Sequence, residues 1–113
     1  DLAETKSRGI WVTNVPNANK HAVADFTFSL LLSLARQITQ ANEQTKRGAW
    51  PRIFATDAYG KTLGICGLGN IGKQVALRAK GFNMRVIAFD FFQDKAFAEE
   101  NGIAFVHALH PIP

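Results

Sequence analysis

A glycine-rich segment between two apolar runs constrains this chain most strongly. Residues 62–72 read T-L-G-I-C-G-L-G-N-I-G, so that a short run of strand type meets Gly67, Gly69 and Gly72 in the spacing G-x-G-x-x-G. A stretch of helical periodicity follows, and Asp90 closes a second apolar run 18 positions after Gly72. Strand, glycine turn, helix and acid in this order form an arrangement that binds dinucleotides.

Each glycine of the turn has its own predicted role. Gly67 lets the chain turn sharply out of the strand, because a residue without a Cβ tolerates backbone angles that others avoid. Gly69 keeps the surface bare for a pyrophosphate, and Gly72 lets the helix pack close to the strand. The first helix amides, near Asn70 and Ile71, have no intrahelical acceptor and carry partial positive charge, so they are predicted to bind the diphosphate.

Asp90 is predicted to select the cofactor. Its carboxylate would accept hydrogen bonds from the adenosine ribose hydroxyls and would repel a 2′-phosphate. Phe91 and Phe92 follow where an NADP enzyme often supplies an arginine, so the pattern favours NAD. A glycine turn followed by an acid also suits S-adenosylmethionine or a flavin, and on these residues alone both stay open as alternatives.

Composition and charge narrow the class of protein. The 113 residues are 47% hydrophobic, which supports one packed domain. The net charge of +4 comes from basic residues spread from Lys6 to Lys95 without interleaved aromatics, so we expect solvated faces and no nucleic-acid partner. No apolar run approaches the length of a membrane span, and the first residues lack a signal-peptide core. We therefore expect a soluble protein of the cytoplasm with no membrane partner.

Several reactive or charged residues have structural interpretations. Cys66 is the single cysteine, and its place in an apolar run predicts core packing rather than a nucleophile, a disulfide or a metal site. Lys73, Arg78 and Lys80 follow the glycine turn and are expected to form a solvent-facing stripe. His21 is expected to face solvent or to cap a helix.

The first half of the chain predicts a strand and a long helix. Residues 10–14 form the predicted strand, which Pro16 cuts off. From about Lys20 to Lys46 apolar residues recur at helical spacing and predict one amphipathic helix, which Asn19 can cap. Its apolar stripe consists of Val23, Phe26, Leu30, Leu34 and Ile38, with Leu31 and Ala35 beside it. The stripe could pack on the chain's own sheet or form a subunit interface, and we favour the interface.

The second half predicts βαβαβ, which is half of a dinucleotide-binding fold. The predicted elements are a strand from Thr62, a helix after Gly69 that stops at Gly81, a strand over 84–89, a short helix over 94–101 and a strand over 103–106. The first of these helices should bury Ile71, Val75 and Ala79. The strand over 84–89 should be covered on both faces. The fold class is thus α/β, a partial Rossmann parallel sheet preceded by a long amphipathic helix.

The flanks of the glycine segment resemble one family. The matching stretches are S-R-G-I-W-V-T-N-V-P (7–16), H-A-V-A-D-F-T-F-S-L-L-L-S-L-A-R (21–36), K-R-G-A-W (46–50), Y-G-K-T-L-G-I-C-G-L-G-N-I-G-K-Q-V-A (59–76) and G-F-N-M-R-V-I-A-F-D (81–90). In this order they are similar to the NAD-dependent D-2-hydroxyacid dehydrogenases, phosphoglycerate dehydrogenase-like members included. The resemblance implies hydride transfer between NAD and a D-2-hydroxy acid, and it argues against S-adenosylmethionine or a flavin.

The resemblance also implies roles for single residues. Asn70 and Ile71 fall where the family's turn meets the pyrophosphate, although the family often has arginine at the position of Asn70. Asp90 matches the ribose carboxylate. Thr27 falls at a position that approaches the cofactor in relatives, whereas by itself it is an ordinary helical threonine.

The same resemblance divides the chain into three parts and implies a homodimer. Residues 1–18 correspond to the end of a substrate-domain segment and a hinge, 19–50 to an interdomain helix and arm through which relatives pair, and 51–113 to part of the NAD-binding half.

The family's catalytic arginine, glutamate and histidine have no match here, because they follow the matched segment in relatives. We therefore expect a fragment from the middle of an enzyme that is inactive by itself. His107 and His110 lack the context of the family's histidine and are interpreted as tail residues. An alternative implied by corepressor-like relatives is a dimeric module that responds to NAD without turnover.

Overall fold

The computed structural model describes residues 1–107, in which helices and strands alternate in the second half of the chain. The elements are α1 (Leu2–Ser7), α2 (Lys20–Ala35), α3 (Ile38–Lys46), β1 (Thr62–Cys66), α4 (Asn70–Gly81), β2 (Arg85–Phe89), α5 (Lys95–Asn101) and β3 (Ala104–Phe105). No helix in these residues is long and apolar enough to cross a membrane.

The three strands form one parallel sheet in the order β1-β2-β3. Leu63 pairs with Val86 and Cys66 with Phe89, and β3 adds to the free edge of β2 by pairing Ala104 with Ile87. Parallel neighbours need a crossover, and α4 and α5 provide the two crossovers. The predicted βαβαβ arrangement and the α/β class are therefore confirmed.

One hydrophobic core joins the sheet to the helices. Alternate residues of β2, Val86 and Ala88, are buried together with residues of α4, α5 and α2. α2 packs against α4, and small residues of both helices, Ala24 and Ala79, are fully buried. Phe28 then stacks on Phe82, with 5.3 Å between the ring centroids. The buried members are Ala24, Phe28, Leu68, Val75, Ala76, Ala79, Val86, Ala88, Ala98 and Ile103.

The opposite face of the sheet is more exposed than the sequence predicts. In β2, Ile87 and Phe89 are only half-buried, so the expectation of a strand covered on both faces is wrong for this chain. Cys66 lies on the same face as its partner Phe89 and is exposed, which corrects its predicted place in the core. The cause is the two-residue alternation of a strand, which points Cys66 away from α4.

The predicted long helix over 20–46 is two helices. Gln37 adopts a left-handed conformation, with φ 52° and ψ 41°, and ends the helical path of α2. The Ala35 carbonyl accepts a hydrogen bond from the Thr56 amide at 3.0 Å instead of continuing the helix. Periodicity did not reveal this break, because the apolar spacing continues across it. Asn19 occupies the N-cap position of α2, but its side chain forms no capping hydrogen bond.

The predicted strand over 10–14 is also wrong. These residues are irregular, whereas the unpredicted helix α1 precedes them and is capped by Asp1, whose carboxylate accepts from the Ala3 amide at 2.9 Å. A strand obtains its hydrogen bonds from a neighbour. Within residues 1–107 the segment pairs with none of the three strands.

Most of the apolar stripe of the long predicted helix is exposed, and only Val23 of its five residues is half-buried. Phe26, Leu30, Leu34 and Ile38 all face away from the core, while Ala24 and Phe28 are buried against α4. The interpretation that the stripe packs on the chain's own sheet is therefore wrong. We use "the exposed stripe" below for Phe26, Leu30, Leu34 and Ile38.

Candidate functional site: the glycine turn between β1 and α4

Backbone geometry and packing distinguish the three glycines of the turn. Gly67 has φ +96°, a conformation that side chains disfavour. A Cβ on Gly72 would overlap the carbonyl oxygen of Gly67, so α4 can approach the turn only without a side chain there. A Cβ on Gly69 would meet no atom within 4 Å, which leaves this position open. Each glycine thus has the conformation or packing that its predicted role requires.

The start of α4 is exposed at the end of the turn. Gly69 is the N-cap and has no side chain to cap the helix, and the first helical hydrogen bond runs from the Lys73 amide to the Gly69 carbonyl at 2.9 Å. Asn70 is exposed, and Ile71 is 39% exposed rather than buried as predicted, because it faces the groove beside the turn. Amides at this end carry partial positive charge, which suits an anion.

Asp90 lies directly after β2 and contacts the turn. Its Oδ2 accepts a hydrogen bond from the Leu68 amide at 2.6 Å, and its Oδ1 accepts one from the Phe92 amide at 2.9 Å. The amide of Phe92, followed by those of Leu68 and Phe91, holds the pKa of this carboxyl below its ordinary value, against the opposing effect of burial. Asp90 is therefore negatively charged at neutral pH and fixed in orientation.

A groove of about 350 Å³ runs along the turn between β1, α4 and α2. Thr27 contributes to its wall from α2, while Gly67, Ile71 and Gly72 contribute from the turn. The Thr27 hydroxyl donates to the Val23 carbonyl at 2.8 Å, so its oxygen keeps acceptor capacity toward the groove. The structure thus brings Thr27 to the turn, although the two are distant in sequence.

A second groove, of about 260 Å³, lies on the other side of Gly67. It is lined by Cys66, Gly67, Phe89, Asp90 and Phe91. Phe91 is 88% exposed and meets Phe89 edge to face, with 5.5 Å between the ring centroids. Sequence reasoning did not place Cys66 or Phe89 at a site. Both end parallel strands, and the carboxyl ends of such strands are where ligands bind, which is the signal that could have found them.

The basic residues of α4 do not form a free stripe. Lys73 pairs with Asp94 at 2.5 Å, and Arg78 pairs with Asp25 of α2 at 2.6 Å. Lys80 donates to the side chain of Asn101 at 2.6 Å. These contacts connect α4 to its neighbouring elements. Lys80 is exposed, as predicted, whereas Lys73 and Arg78 are half-buried, which corrects the prediction for those two residues.

Neither His21 nor His107 lines one of the two grooves. His21 at the start of α2 is exposed, as predicted, and His107 is exposed after β3. His110 lies outside the described residues. Within residues 1–107 no three His, Cys, Asp or Glu side chains group closely enough to hold a metal ion.

Comparison with known families identifies the fold unit. The family described as "D-isomer specific 2-hydroxyacid dehydrogenase, NAD binding domain" matches residues 28–111, which is most of the chain. The chain belongs to this family. The match covers the glycine turn, Asp90 and the sheet, so the βαβαβ unit is the part that the family describes as NAD-binding.

Curated relatives of this dehydrogenase family align over nearly the whole chain. A glyoxylate reductase from Korarchaeum cryptofilum is 40% identical over 112 residues, which cover 94% of this chain and 34% of that protein. A D-3-phosphoglycerate dehydrogenase from Methanocaldococcus jannaschii is 41% identical over 114 residues, which cover 99% of this chain and 22% of that protein. The chain thus spans about a third or less of the length of these relatives.

A solved dehydrogenase structure shares the fold. The D-lactate dehydrogenase from Aquifex aeolicus, complexed with NAD and lactic acid, superposes with a TM-score of 0.84 at 29% identity. The superposition covers 95% of this chain and 33% of that structure.

Proposed function

We propose that this chain is the NAD(H)-binding part of an oxidoreductase that transfers a hydride between NAD and a D-2-hydroxy acid. One observation supports this most directly. The charged Asp90 carboxylate contacts the same turn whose Gly69 position is open and whose helix amides are exposed. Backbone amides that can donate hydrogen bonds to an anion therefore lie beside a carboxylate that can accept hydrogen bonds from a sugar.

The residues of the turn fit a dinucleotide. The open surface at Gly69 admits a diphosphate to the amides near Asn70 and Ile71, while Gly67 and Gly72 hold the turn in shape. Asp90 accepts hydrogen bonds from the adenosine ribose and excludes a 2′-phosphate. Thr27 lines the groove along the turn. The bound cofactor supplies the nicotinamide ring that accepts or delivers hydride.

The finer organisation belongs to the same proposal. Residues 1–18 are the end of a substrate-domain segment, 19–50 are an interdomain helix and arm, and 51–113 are part of the NAD-binding half. The exposed stripe supports a homodimer, since these four large apolar side chains are left exposed and burial in an interface would remove them from water. A polypeptide of these 113 residues binds NADH without turnover, because the family's catalytic arginine, glutamate and histidine have no match in it.

Calorimetric titration tests the proposed cofactor. NADH should bind saturably and at least about tenfold more tightly than NADPH, because the Asp90 charge repels a 2′-phosphate. S-Adenosylmethionine should not compete with NADH. An absence of saturable heat with NADH, or equal affinity for NADPH, would contradict the proposal. Steady NADH oxidation with 2-oxo acids by the 113-residue polypeptide would refute the predicted lack of turnover.

A second candidate function is a dimeric binding module that responds to NAD without turnover. The exposed stripe on α2 and α3 favours it, because Phe26 of the stripe directly precedes Thr27, which lines the groove along the turn. Light scattering with and without NADH distinguishes the candidates. Association that depends on NADH, in a longer polypeptide that still reduces no 2-oxo acid, would favour the binding module over the enzyme.

A further inference from the structure

Asp90 forms contacts that recognition of a ribose does not require. Its two oxygens accept from the Leu68 amide at 2.6 Å and from the Phe92 amide at 2.9 Å. Leu68 belongs to the loop after β1, and Phe92 belongs to the loop after β2. One carboxylate therefore joins the two loops that border the second groove.

The contact with Leu68 begins where strand pairing ends. The Gly67 amide still donates to the Phe89 carbonyl at 2.8 Å, which extends the pairing of β1 and β2 by one bond. The next amide, that of Leu68, donates to the Asp90 side chain, and Leu68 as a whole residue is only 2% exposed. A buried amide without an acceptor is costly. The Asp90 carboxylate thus takes the place of a backbone carbonyl as the hydrogen-bond acceptor for β1, at the point where the backbone turns toward α4.

We propose that Asp90 is a positioning residue of the glycine turn: by holding the Leu68 amide, its carboxylate fixes the bend that directs the first amides of α4 at the diphosphate. This inference rests on the proposed function and deepens it. A carboxylate has about four lone-pair positions, and the two amides occupy one on each oxygen. Both oxygens therefore keep capacity for ribose hydroxyls, so the two roles are compatible.

Scalar coupling across the hydrogen bond tests the contact without a variant. In ¹³C,¹⁵N-labelled chain, the Leu68 amide nitrogen should couple to the Asp90 side-chain carboxyl carbon. The Gly67 amide and the Phe89 carbonyl carbon provide an internal reference, because a backbone hydrogen bond of 2.8 Å joins them. If the reference coupling is visible and the Leu68 coupling is not, the inference is overturned.

A ligand pair separates positioning from ribose recognition. ADP and 2′,3′-dideoxy-ADP share the diphosphate, but the second lacks the hydroxyls that Asp90 would bind. Asp90→Ala should weaken the binding of both ligands by at least about tenfold, because the turn loses an ionic acceptor. Asp90→Asn should have a smaller effect, because its one amide oxygen can still accept from one backbone amide. Glu43→Gln removes the same charge from an exposed position of α3 and should bind both ligands as the unchanged chain does.

The outcomes identify which idea fails. If the Asp90 variants lose affinity for ADP but bind dideoxy-ADP normally, Asp90 contacts only the sugar and the positioning role is wrong. If the unchanged chain binds neither NADH nor ADP, the proposed function fails, while the scalar coupling still decides the role at Leu68. If Asp90→Ala does not fold, the coupling in the unchanged chain and the Asp90→Asn titrations decide.

Discussion

Two glycines of the same motif constrain the chain for different reasons. At Gly72 a Cβ would overlap the Gly67 carbonyl oxygen, so this glycine is required for the fold. At Gly69 the backbone has φ −75° and a Cβ would meet no atom within 4 Å, so the fold does not require glycine there. The requirement for glycine at position 69 comes instead from the diphosphate that is proposed to approach the turn.

Alanine substitutions should separate the two requirements. Gly72→Ala should lower the free energy of unfolding by about 3 kcal/mol, because backbone must move to admit the methyl group. Gly69→Ala should cost less than about 1 kcal/mol but weaken NADH binding about tenfold, because the methyl group meets the incoming diphosphate. Urea unfolding and calorimetry measure the two effects. Normal NADH affinity in Gly69→Ala would contradict the placement of the diphosphate.

At the level of single residues, the glycine turn and Asp90 were predictable from sequence, but the solvent exposure of Cys66 was not. Gly67, Gly72 and Asp90 are determined by local geometry that spacing encodes. Whether Cys66 is buried depends on what covers one face of the sheet, and a strand's own sequence does not contain that information.

Among the secondary-structure elements, the βαβαβ unit was predictable, because the spacing of its apolar residues changes clearly between strands and helices. The break between α2 and α3 was not, because one residue in the left-handed region interrupts the helix without changing the apolar spacing. Contacts from a distant segment hold the break in place. The Gln37 side chain donates to the Phe54 carbonyl at 3.0 Å, and the Thr56 amide donates to the Ala35 carbonyl.

Substitution at Gln37 should test this joint. Gln37→Val should lower the free energy of unfolding by about 1–2 kcal/mol, because a β-branched residue disfavours the left-handed conformation. Gln37→Gly removes the same hydrogen bond to Phe54 but adopts that conformation without strain, so it serves as the control and should cost less. Denaturant unfolding gives the comparison. Equal losses in both variants would mean that the helix is continuous in solution.

At the scale of the whole molecule, the exposed stripe departs from what a self-contained fold would show. Small residues of both helices, Ala24 of α2 and Ala79 of α4, are buried in the core, while the large apolar residues Phe26, Leu30 and Leu34 of the predicted stripe are exposed. Periodicity predicted a stripe of five residues, four of which are exposed, but it could not determine which side of α2 packs against the rest of the chain. That choice depends on which face of α2 packs against α4.

A charge in the exposed stripe should prevent dimer formation. Leu34 is 80% exposed, and Leu34→Glu should convert the proposed dimer to a monomer, because a carboxylate buried in an interface would lack a partner. His21→Glu adds a carboxylate at the start of the same helix, outside the stripe, and should leave the dimer intact. Size-exclusion chromatography with light scattering reads both results. A monomeric unchanged chain would refute the proposed dimer.

The bond between Ala35 and Thr56 has a further consequence for how α3 is attached. The chain leaves α2, forms α3 and returns to within hydrogen-bonding distance of its starting point, where Arg36 also pairs with Asp57 at 2.5 Å. Because the two ends of the segment that contains α3 already lie close together, a linker of a few glycines could replace this segment at little entropic cost. The chain shortened by removal of α3 should keep its affinity for NADH. A loss of that affinity would show that α3 supports the proposed NADH site.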